Sequence, residues 1–442
     1  MEQIRGIERW TFLLIATTAL TWHGGQSAGA EMAANPAEPG PCEVSAQIVE
    51  IDEISETRLF FPSDSECGGV TAAPYPGLVF AHGFSMFGLT NGAADNAGHG
   101  GHMASWGYVV AIPVLSDDVE GRIEDVQAVL SYLETETATP GSTLYQKVDV
   151  GRLAAAGHSF GGATVLALAA RDARVKAVVA LDPVYHQGGP FGGEEPVIWD
   201  PAIEGVQVTV PTSIQGAPAS NCNSEGDYAE ITPFVGASHK AEIFIVDASH
   251  CDFMDPGQSM CEMVCDGSVD PARTRLVRKY MTAWFNYYLY LETDQHAYIY
   301  GDEADADVAA GRIEREVSTA PRNLTATGLE EAITLDWDLY DHAIVAGYNI
   351  YRSTESGSYS ADPYARVGRV SSYVDSDVVG GQRTFYTLRS RDLRGNEHQA
   401  SDEVSAVPEG SLPPSPEPTP SGELEHLLYL PLILARGEID GK

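Results

Sequence analysis

The chain has 442 residues, of which 43% are hydrophobic and 20% charged, so it has room for two or three domains and is too apolar to be disordered. Lys and Arg number 26 against 63 Asp and Glu, and the formal net charge is −37. This charge repels phosphate backbones and anionic lipid, which excludes nucleic acids and membrane surfaces as expected partners. We expect a neutral or apolar partner.

The first 30 residues have the features of a secretory signal peptide. Arg5 and Arg9 precede an apolar stretch over residues 10–22, and small residues follow as far as Ala30. This order of charged, apolar and small segments predicts cleavage after Ala30. The apolar stretch is shorter than the roughly 20 residues that cross a bilayer, so we expect no transmembrane segment in the mature chain. The sequence thus predicts a secreted or cell-surface protein.

Six cysteines follow the predicted signal peptide, an even number that suits disulfides in an oxidising compartment. We expect three disulfides: Cys42 with Cys67, Cys222 with Cys251, and Cys261 with Cys265. A zinc site is the alternative for the last two cysteines. Their spacing of four differs from a C-x-x-C pair, however, and the sequence has no second pair of similar spacing, so we expect neither a metal nor a cofactor.

Residues 42–300 alternate short apolar runs with segments of helical period, which is typical of an α/β fold with a mostly parallel sheet. An antiparallel hairpin is predicted first, over residues 46–53 and 58–62. The predicted sheet strands are 78–81, 108–113, 153–157, 177–181, 208–214 and 242–246, and the predicted helices are 123–134, 161–171 and 272–291.

Four further segments are predicted beyond this domain. Residues 301–319 form an expected acidic linker, because they contain no Asp-x-Asp-x-Asp-Gly calcium loop. Residues 320–408 alternate like the strands of an all-β sandwich. Residues 409–422 form a proline-rich stalk, and residues 423–442 an apolar tail that either sorts the protein or packs on its own chain.

The predicted sandwich resembles a fibronectin type III domain along its whole length. The residues that carry the resemblance are Leu335-x-Trp337-Asp338, Gly347-Tyr348-x-Ile350-Tyr351, Tyr373-x-Asp375 and Tyr386-x-Leu388-x-Ser390-x-Asp392. The resemblance implies core positions rather than a binding site. We therefore expect the C-terminal module to be dispensable for chemistry on a soluble substrate and able to associate with a surface or a polymer.

The chemistry is predicted to centre on Gly157-His158-Ser159-Phe160-Gly161, a G-x-S-x-G motif between a strand and an Ala-rich helix. In that context the motif is a nucleophile elbow, which exposes the serine above the sheet edge. Ser159 is therefore the expected nucleophile; the alternative is a plain tight turn. Phe160 and Phe84, the latter in a His-Gly-Phe turn after an early strand, are expected to donate backbone N–H groups to an oxyanion hole.

A serine nucleophile needs a histidine base later in the chain. His250 follows the last apolar strand and is the expected base. His186 is a second choice, and His239 precedes that strand and would lie at its wrong end. His99 and His102 suggest a metal pair, but without a third ligand we expect a role in a loop.

The acid has two candidates. Asp182 ends the predicted strand 177–181, so its side chain can reach the edge beside the elbow. The loop after the next strand is the commoner position for the acid in this fold, but it contains no acid before Glu225 and Asp227. We favour Asp182, with Asp227 second.

The elbow, followed by Asp182 at 23 residues from the serine, resembles the platelet-activating-factor acetylhydrolase group of serine esterases. Residues 250–255 and the nearby cysteines are similar to those of chlorophyllases, although chlorophyllases usually have Arg at the position of Phe160. The His82-Gly83-Phe84 turn and residues 105–108 are similar to those of cutinase-like polyester hydrolases. These resemblances imply an α/β-hydrolase fold, a Ser159, His250 and Asp182 triad, and cofactor-free hydrolysis of carboxylic esters.

The predicted function is therefore a secreted serine ester hydrolase. The alternatives are a cutinase-like polyester hydrolase or lipid esterase, and a non-catalytic surface-binding protein built on a hydrolase fold.

Overall fold

The computed structural model describes residues 34–64, 67, 71–84, 91–185, 200–257, 259–265 and 267–410. The predicted signal peptide, His186, the apolar tail and all but the first two residues of the predicted stalk lie outside the described residues. Within the described ranges, no helix combines the length and the apolar character needed to cross a bilayer.

A nine-stranded mixed sheet forms the first domain. Its strands are β1 Val44–Ile51, β2 Ile54–Pro62, β3 Tyr75–Ala81, β4 Val109–Pro113, β5 Val148–His158, β6 Val175–Leu181, β7 Thr212–Gly216, β8 Lys240–Ile245 and β9 Ile313–Ser318. Their order in the sheet is β1-β2-β4-β3-β5-β6-β7-β8-β9. The strands from β4 to β8 in this order are parallel, and β1, β2 and β9 are antiparallel to their neighbours. The predicted entry hairpin and six parallel strands are confirmed, with shifted boundaries.

Helices cover both faces of the sheet, because its central strands are apolar on both sides. The helices are α1 Gly92–Asp95, α2 Ala97–Ser105, α3 Val119–Ala138, α4 Phe160–Arg171, α5 Pro201–Glu204, α6 Asp227–Ile231, α7 Ser259–Val264, α8 Pro271–Phe285, α9 His296–Ile299 and α10 Asp302–Ala309. The helices α3 and α4 pack with one buried cluster, and α2 and α8 with the other. The α/β layering predicted from the sequence is therefore present.

The segment predicted as a solvated acidic linker is instead part of this domain. Asp302–Ala309 is helical, and Ile313–Ser318 pairs with β8 as the ninth strand. Buried Asp307 accepts hydrogen bonds from Lys279 Nζ at 2.6 Å and Tyr280 Oη at 2.5 Å, and also pairs with Arg312. The acidic composition of this segment predicted a solvated linker, because Lys279, which pairs with the Asp307 carboxylate, lies outside the segment in the sequence.

Residues 325–406 form two antiparallel sheets facing one another, as the sequence predicted for a sandwich. The strands are β10 Thr325–Leu329, β11 Ala332–Asp336, β12 Val345–Ser353, β13 Ala365–Val367, β14 Ser372–Asp375, β15 Thr384–Asp392, β16 Glu397–Ala400 and β17 Val404–Ala406. One sheet has the order β10-β11-β14, and the other β13-β12-β15-β16 with β17 also on β15. The core of the sandwich, between the two sheets, contains Trp337, Tyr348, Ile350, Tyr386 and Leu388.

The sandwich packs directly against the first domain. Ile344 and Val345 belong to the same buried cluster as Trp284. Arg322 donates a hydrogen bond to the carbonyl oxygen of Gly236 at 2.8 Å. This contact lies at the amino end of β8, since Gly236 precedes that strand.

The three disulfides join Cys42 to Cys67, Cys222 to Cys265, and Cys251 to Cys261. The first predicted pair is confirmed, and the other two predicted pairs are wrong. Cys261 and Cys265 lie one helical turn apart, on and just after α7, with their sulfurs 3.7 Å from each other, but each is bonded to a cysteine of a different loop, so the two are bonded to two different loops. We call Ser259–Val264 with Cys265 the cystine helix, because it is bonded to both of those loops.

Candidate active site

Ser159 lies between β5 and α4, where the backbone turns sharply. Its φ of 57° and ψ of −125° are unfavourable for a residue with a side chain, which is typical of a strained functional turn. Glycine is required on both sides: a side chain at Gly157 would collide with the carbonyl of Gly161, and one at Gly161 with the carbonyl of Ala81. The predicted elbow is present, and Ser159 remains partly exposed.

Asp182 and His250 meet at the carboxyl edge of the sheet. His250 Nδ1 donates a hydrogen bond to Asp182 Oδ2 at 2.5 Å, although the two residues are 68 positions apart. Both side chains are buried, with 1% of Asp182 and 3% of His250 exposed. The other carboxylate oxygen of Asp182 accepts from the amide N–H of Ala217 at 3.2 Å and from Asn223 Nδ2 at 3.0 Å. The carboxylate is thus held on both sides, and His250 is held in one tautomer.

The turn that carries His250 has its own supports. Asp252 accepts hydrogen bonds from the amide N–H groups of Ser249 at 2.7 Å and Asp270 at 2.6 Å. Cys251 ties the turn to the cystine helix, and Cys222 ties the loop of Asn223 to the same helix. One short helix is therefore bonded both to the loop of Asn223, which contacts Asp182, and to the turn of His250.

His158 connects Ser159 to His250. Its ring centroid lies 4.5 Å from that of His250, and its Nε2 donates to the His250 carbonyl oxygen at 3.0 Å. Burial lowers the pKa of His158 well below its usual value, and the neighbouring His250 lowers it further. His158 is thus a neutral side chain under the backbone of His250, and the sequence analysis missed this role.

The turn His82-Gly83-Phe84 lies against the elbow. A Cβ atom at Gly83 would be 3.0 Å from Ser159 Cβ and 3.5 Å from its Oγ. His82 Nδ1 donates to the Gly83 carbonyl oxygen at 2.6 Å, and its Nε2 accepts from the Leu115 amide at 3.0 Å. Burial, together with nearby Arg122, lowers the pKa of His82 to about 3. A neutral histidine therefore fixes the shape of this turn.

Arg122 contacts both segments that are predicted to form the oxyanion hole, the turn of Phe84 and the start of α4 at Phe160. This fully buried side chain donates to the His82 carbonyl oxygen, and its guanidinium lies 4.9 Å from the centroid of the Phe160 ring. Burial lowers the pKa of Arg122 to about 10, so the group remains a cation at neutral pH. No motif in the sequence marked it.

The two phenylalanines occupy different environments. Phe84 is 48% exposed, whereas the Phe160 ring is 4% exposed and belongs to the core cluster under Arg122. The Phe160 ring therefore does not line the site. Its N–H remains in the first turn of α4, where backbone donors have no partner within the helix.

The other candidates lie in structural positions. Asp227 accepts the Tyr185 amide N–H at 2.7 Å, and His239 accepts or donates a hydrogen bond with Tyr288 Oη at 2.9 Å near the sandwich. His99 and His102 lie in the buried helix α2 and not in a loop as expected. His99 Nε2 donates to the Phe253 carbonyl oxygen and His102 Nε2 to that of Pro36.

Cys251, Cys261 and Cys265 bring three sulfurs together. All three sulfurs are in disulfides, so they are not thiolate ligands for a metal.

A strained, partly exposed serine beside a buried carboxylate and histidine pair is suited to nucleophilic attack on a carbonyl carbon. The backbone N–H groups of the neighbouring turn and helix are suited to hold a developing oxyanion.

Comparison with known proteins agrees with this chemistry. The family described as "PETase: PET hydrolase-like" matches residues 33–305, more than half of the chain. Among curated proteins, a "Cutinase" of Thermobifida fusca (strain YX) is 32% identical over 213 residues, covering 46% of this chain and 63% of its own length. "Cutinase est2" of Thermobifida alba is 30% identical over 192 residues, covering 42% of this chain and 58% of its own length. The alignments thus span less than two thirds of these two relatives. The family match shows that the chain belongs to the PET hydrolase-like family of α/β-hydrolase-fold proteins.

Proposed function

We propose that this protein is a secreted serine carboxylic-ester hydrolase whose triad is Ser159, His250 and Asp182. Ser159 is the nucleophile, His250 the general base and then the general acid, and Asp182 the carboxylate that orients His250. The backbone N–H groups of Phe84 and Phe160 form the oxyanion hole.

In the first half-reaction, Ser159 Oγ attacks the ester carbonyl carbon while His250 Nε2 takes the hydroxyl proton. The oxyanion of the tetrahedral intermediate accepts hydrogen bonds from the two backbone N–H groups. When the intermediate collapses, the bond to the alcohol breaks and the alcohol takes its proton from His250. Water then repeats the sequence on the acyl-Ser159 ester, releasing the carboxylic acid and restoring the serine.

The observation that carries this proposal is the 2.5 Å hydrogen bond between His250 and Asp182 at the sheet edge where Ser159 occupies its strained turn. Both groups are buried, so the carboxylate acts on the imidazole in a region of low dielectric. The family match and the curated cutinases support ester hydrolysis as the reaction class.

The test is hydrolysis of a chromogenic short-chain ester by the full chain. Ser159→Ala is expected to lower kcat by at least about 10⁴-fold, since a triad acts as a unit. Ser131→Ala, at an exposed serine of α3, is the matched control and keeps wild-type rates. A fluorophosphonate probe should label the wild type once and leave Ser159→Ala unlabelled. Activity or labelling that survives Ser159→Ala rejects the assignment and leaves the non-catalytic alternative.

A cutinase-like polyester hydrolase is the more specific candidate. Two observations favour it. One is the family description, and the other is Phe84, whose ring is 48% exposed at the end of the His82-Gly83-Phe84 turn that lies against Ser159. A lipid esterase is the competing substrate class. Release of soluble acid from a polyester film, compared with release of fatty acid from neutral phospholipid vesicles, separates the two. Phe84→Ala should reduce the film rate more than the rate on a soluble ester.

The C-terminal module is proposed to be a fibronectin type III-like domain that brings the enzyme to a surface or polymer. Support comes from its two sheets of three and five strands and from the sequence resemblance. Export is supported by the N-terminal sequence pattern and by three disulfides, which persist in oxidising compartments.

A further inference from the structure

The loop after β7 is where this fold commonly carries the triad acid, yet here its buried polar side chain is an amide. Asn223 is 3% exposed and lies in the loop that follows Thr212–Gly216. Its Nδ2 donates to Asp182 Oδ1 at 3.0 Å. An uncharged donor therefore occupies the loop from which a carboxylate would otherwise approach His250.

The orientation of this amide is set by its second contact. Asn223 Oδ1 accepts the backbone N–H of Asp227 at 3.0 Å, which leaves the NH₂ group for Asp182. The adjacent Cys222 is disulfide-bonded to the cystine helix, and the Asn223 amide N–H donates to the Ser220 carbonyl oxygen at 3.2 Å. The side chain is thus held from both its backbone and its carbonyl oxygen.

We propose that Asn223 is a positioning residue that keeps the Asp182 carboxylate aimed at His250, an inference that rests on the proposed triad. Its NH₂ group and the Ala217 N–H engage Oδ1, so that Oδ2 is directed to the imidazole. A carboxylate at position 223 would place a like charge beside Asp182 and would remove the N–H donor to Oδ1.

Other titratable groups also face this region. His158 lies against the ring of His250, and Asp252 supports its turn. On α6, the Asp227 N–H contacts Asn223, and the charge of Asp182 contributes to the raised pKa of Tyr228. These groups are common to the wild type and the variants below, so a difference between the pH profiles reports the change at position 223.

The decisive variant is Asn223→Asp, assayed as kcat/KM against pH on a soluble ester. The added negative charge favours the protonated form of His250. The acid limb of the pH profile, where kcat/KM rises with pH, is therefore expected to move to a pH about one unit higher. Asn221→Asp makes the same charge change at an exposed position two residues away and is the matched control, expected to follow the wild-type profile. Superimposable profiles for Asn223→Asp and Asn221→Asp would overturn the proposal.

Asn223→Ala provides a second measurement if the charged variant does not fold. Loss of one charge-assisted donor is expected to lower kcat about tenfold with KM within twofold. Without the donor, the Asp182 carboxylate becomes a stronger partner for the imidazolium, and the acid limb of the pH profile moves upward by a smaller amount. A wild-type kcat and pH profile in Asn223→Ala contradicts the positioning role. If Ser159→Ala abolishes activity while the Asn223 variants behave as wild type, this inference fails and the triad stands.

Discussion

Two histidine-rich regions lie at opposite ends of the same parallel strands. At the carboxyl edge, His250 donates to the carboxylate of Asp182, His158 lies against the His250 ring, and His82 holds the turn beside Ser159. At the amino end, His239 and its neighbours fill the contact with the sandwich. The two groups differ in their partners: His250 is hydrogen-bonded to a carboxylate, whereas His239 and His398 contact aromatic rings and hydroxyl groups. Burial alone therefore does not distinguish the two groups of histidines.

The interface region is a network of rings and hydroxyls. His239 Nδ1 lies 2.9 Å from Tyr288 Oη, which is 2.6 Å from Tyr300 Oη. His398 Nε2 lies 3.0 Å from Tyr287 Oη, and its Nδ1 lies 3.1 Å from Ser390 Oγ. Burial lowers the pKa of His398 to about 3. Neutral histidines of this kind act as packing groups, and they become costly when the pH falls.

The largest expected effect comes from removing the charge that distinguishes the first region. Asp182→Asn preserves the shape of the side chain but destabilises the imidazolium and the correct tautomer, so kcat should fall roughly 10⁴-fold. Steady-state rates on a soluble ester measure this. Asp227→Asn, at the other acid candidate, is expected to keep kcat within about tenfold, because its carboxylate supports the Tyr185 amide. The reverse ranking would transfer the acid role to Asp227.

The second-largest expected effect comes from deleting the C-terminal sandwich, which removes the interface region and keeps the region around His250. A chain ending after Ser318 keeps β9 but uncovers Tyr287 and Tyr288, which are 0% and 2% exposed in the full chain. We expect its melting temperature to fall by about 10 °C, since several kcal/mol of packing is lost. At 20 °C its kcat/KM on a soluble ester should stay within about threefold, because the interface lies at the other end of the strands.

A chain ending after Gly410 retains the sandwich and is the control for this truncation, with an expected melting temperature equal to that of the full chain. An unchanged melting temperature in the shorter chain would mean that the interface adds no stability. The expectation from sequence that the module is dispensable would then apply to folding as well as to chemistry.

The smallest effect tests whether the interface histidines are neutral. Because the folded pKa of His398 is about 3, below the usual 6.5, the unfolded chain binds a proton first as the pH falls. The stability from neutral His398 is therefore complete above about pH 6.5 and is lost progressively toward pH 3. Between pH 7.5 and 4.5, the wild type should lose about 2–3 kcal/mol more unfolding free energy than His398→Gln.

Denaturant unfolding at the two pH values provides this measurement. Ser390→Ala removes a hydrogen-bond partner of His398 without removing a titratable group, so its pH dependence should match that of the wild type. Equal pH dependence in His398→Gln would show that His398 does not contribute to acid destabilisation.

The sequence was informative where a function depends on a short motif or on chain order. The elbow at Ser159 is readable from five adjacent residues, and the pairing of Asp182 with His250 follows from their positions at the ends of parallel strands. Asn223 was missed because an amide in a loop has no local signature until its carboxylate partner is located in space. The interface was missed for the same reason, since its histidines come from segments far apart in the chain.

Two sequence predictions were wrong for identifiable physical reasons. The acidic composition of 301–319 concealed the helix and strand, because the charge of Asp307 is neutralised by Lys279 on α8. The disulfide partition failed because neighbours in sequence were taken as partners. Cys261 and Cys265 lie side by side on one helical turn, and each is bonded to a cysteine of a separate loop.

Because the cystine helix is held by two disulfides, the geometry around Asp182 and His250 depends on the redox conditions in which the chain folds. The nine-stranded sheet needs no sulfur bond to form its hydrogen bonds, so thiol-reducing conditions permit the sheet while leaving the loops of Asn223 and His250 untied. Protein recovered from a reducing host cytoplasm is therefore expected to retain its secondary structure while the Asn223 loop and the His250 turn are no longer bonded to the same short helix. For this protein, the amount of folded protein and the number of competent active sites are therefore two separate quantities, and each has to be measured.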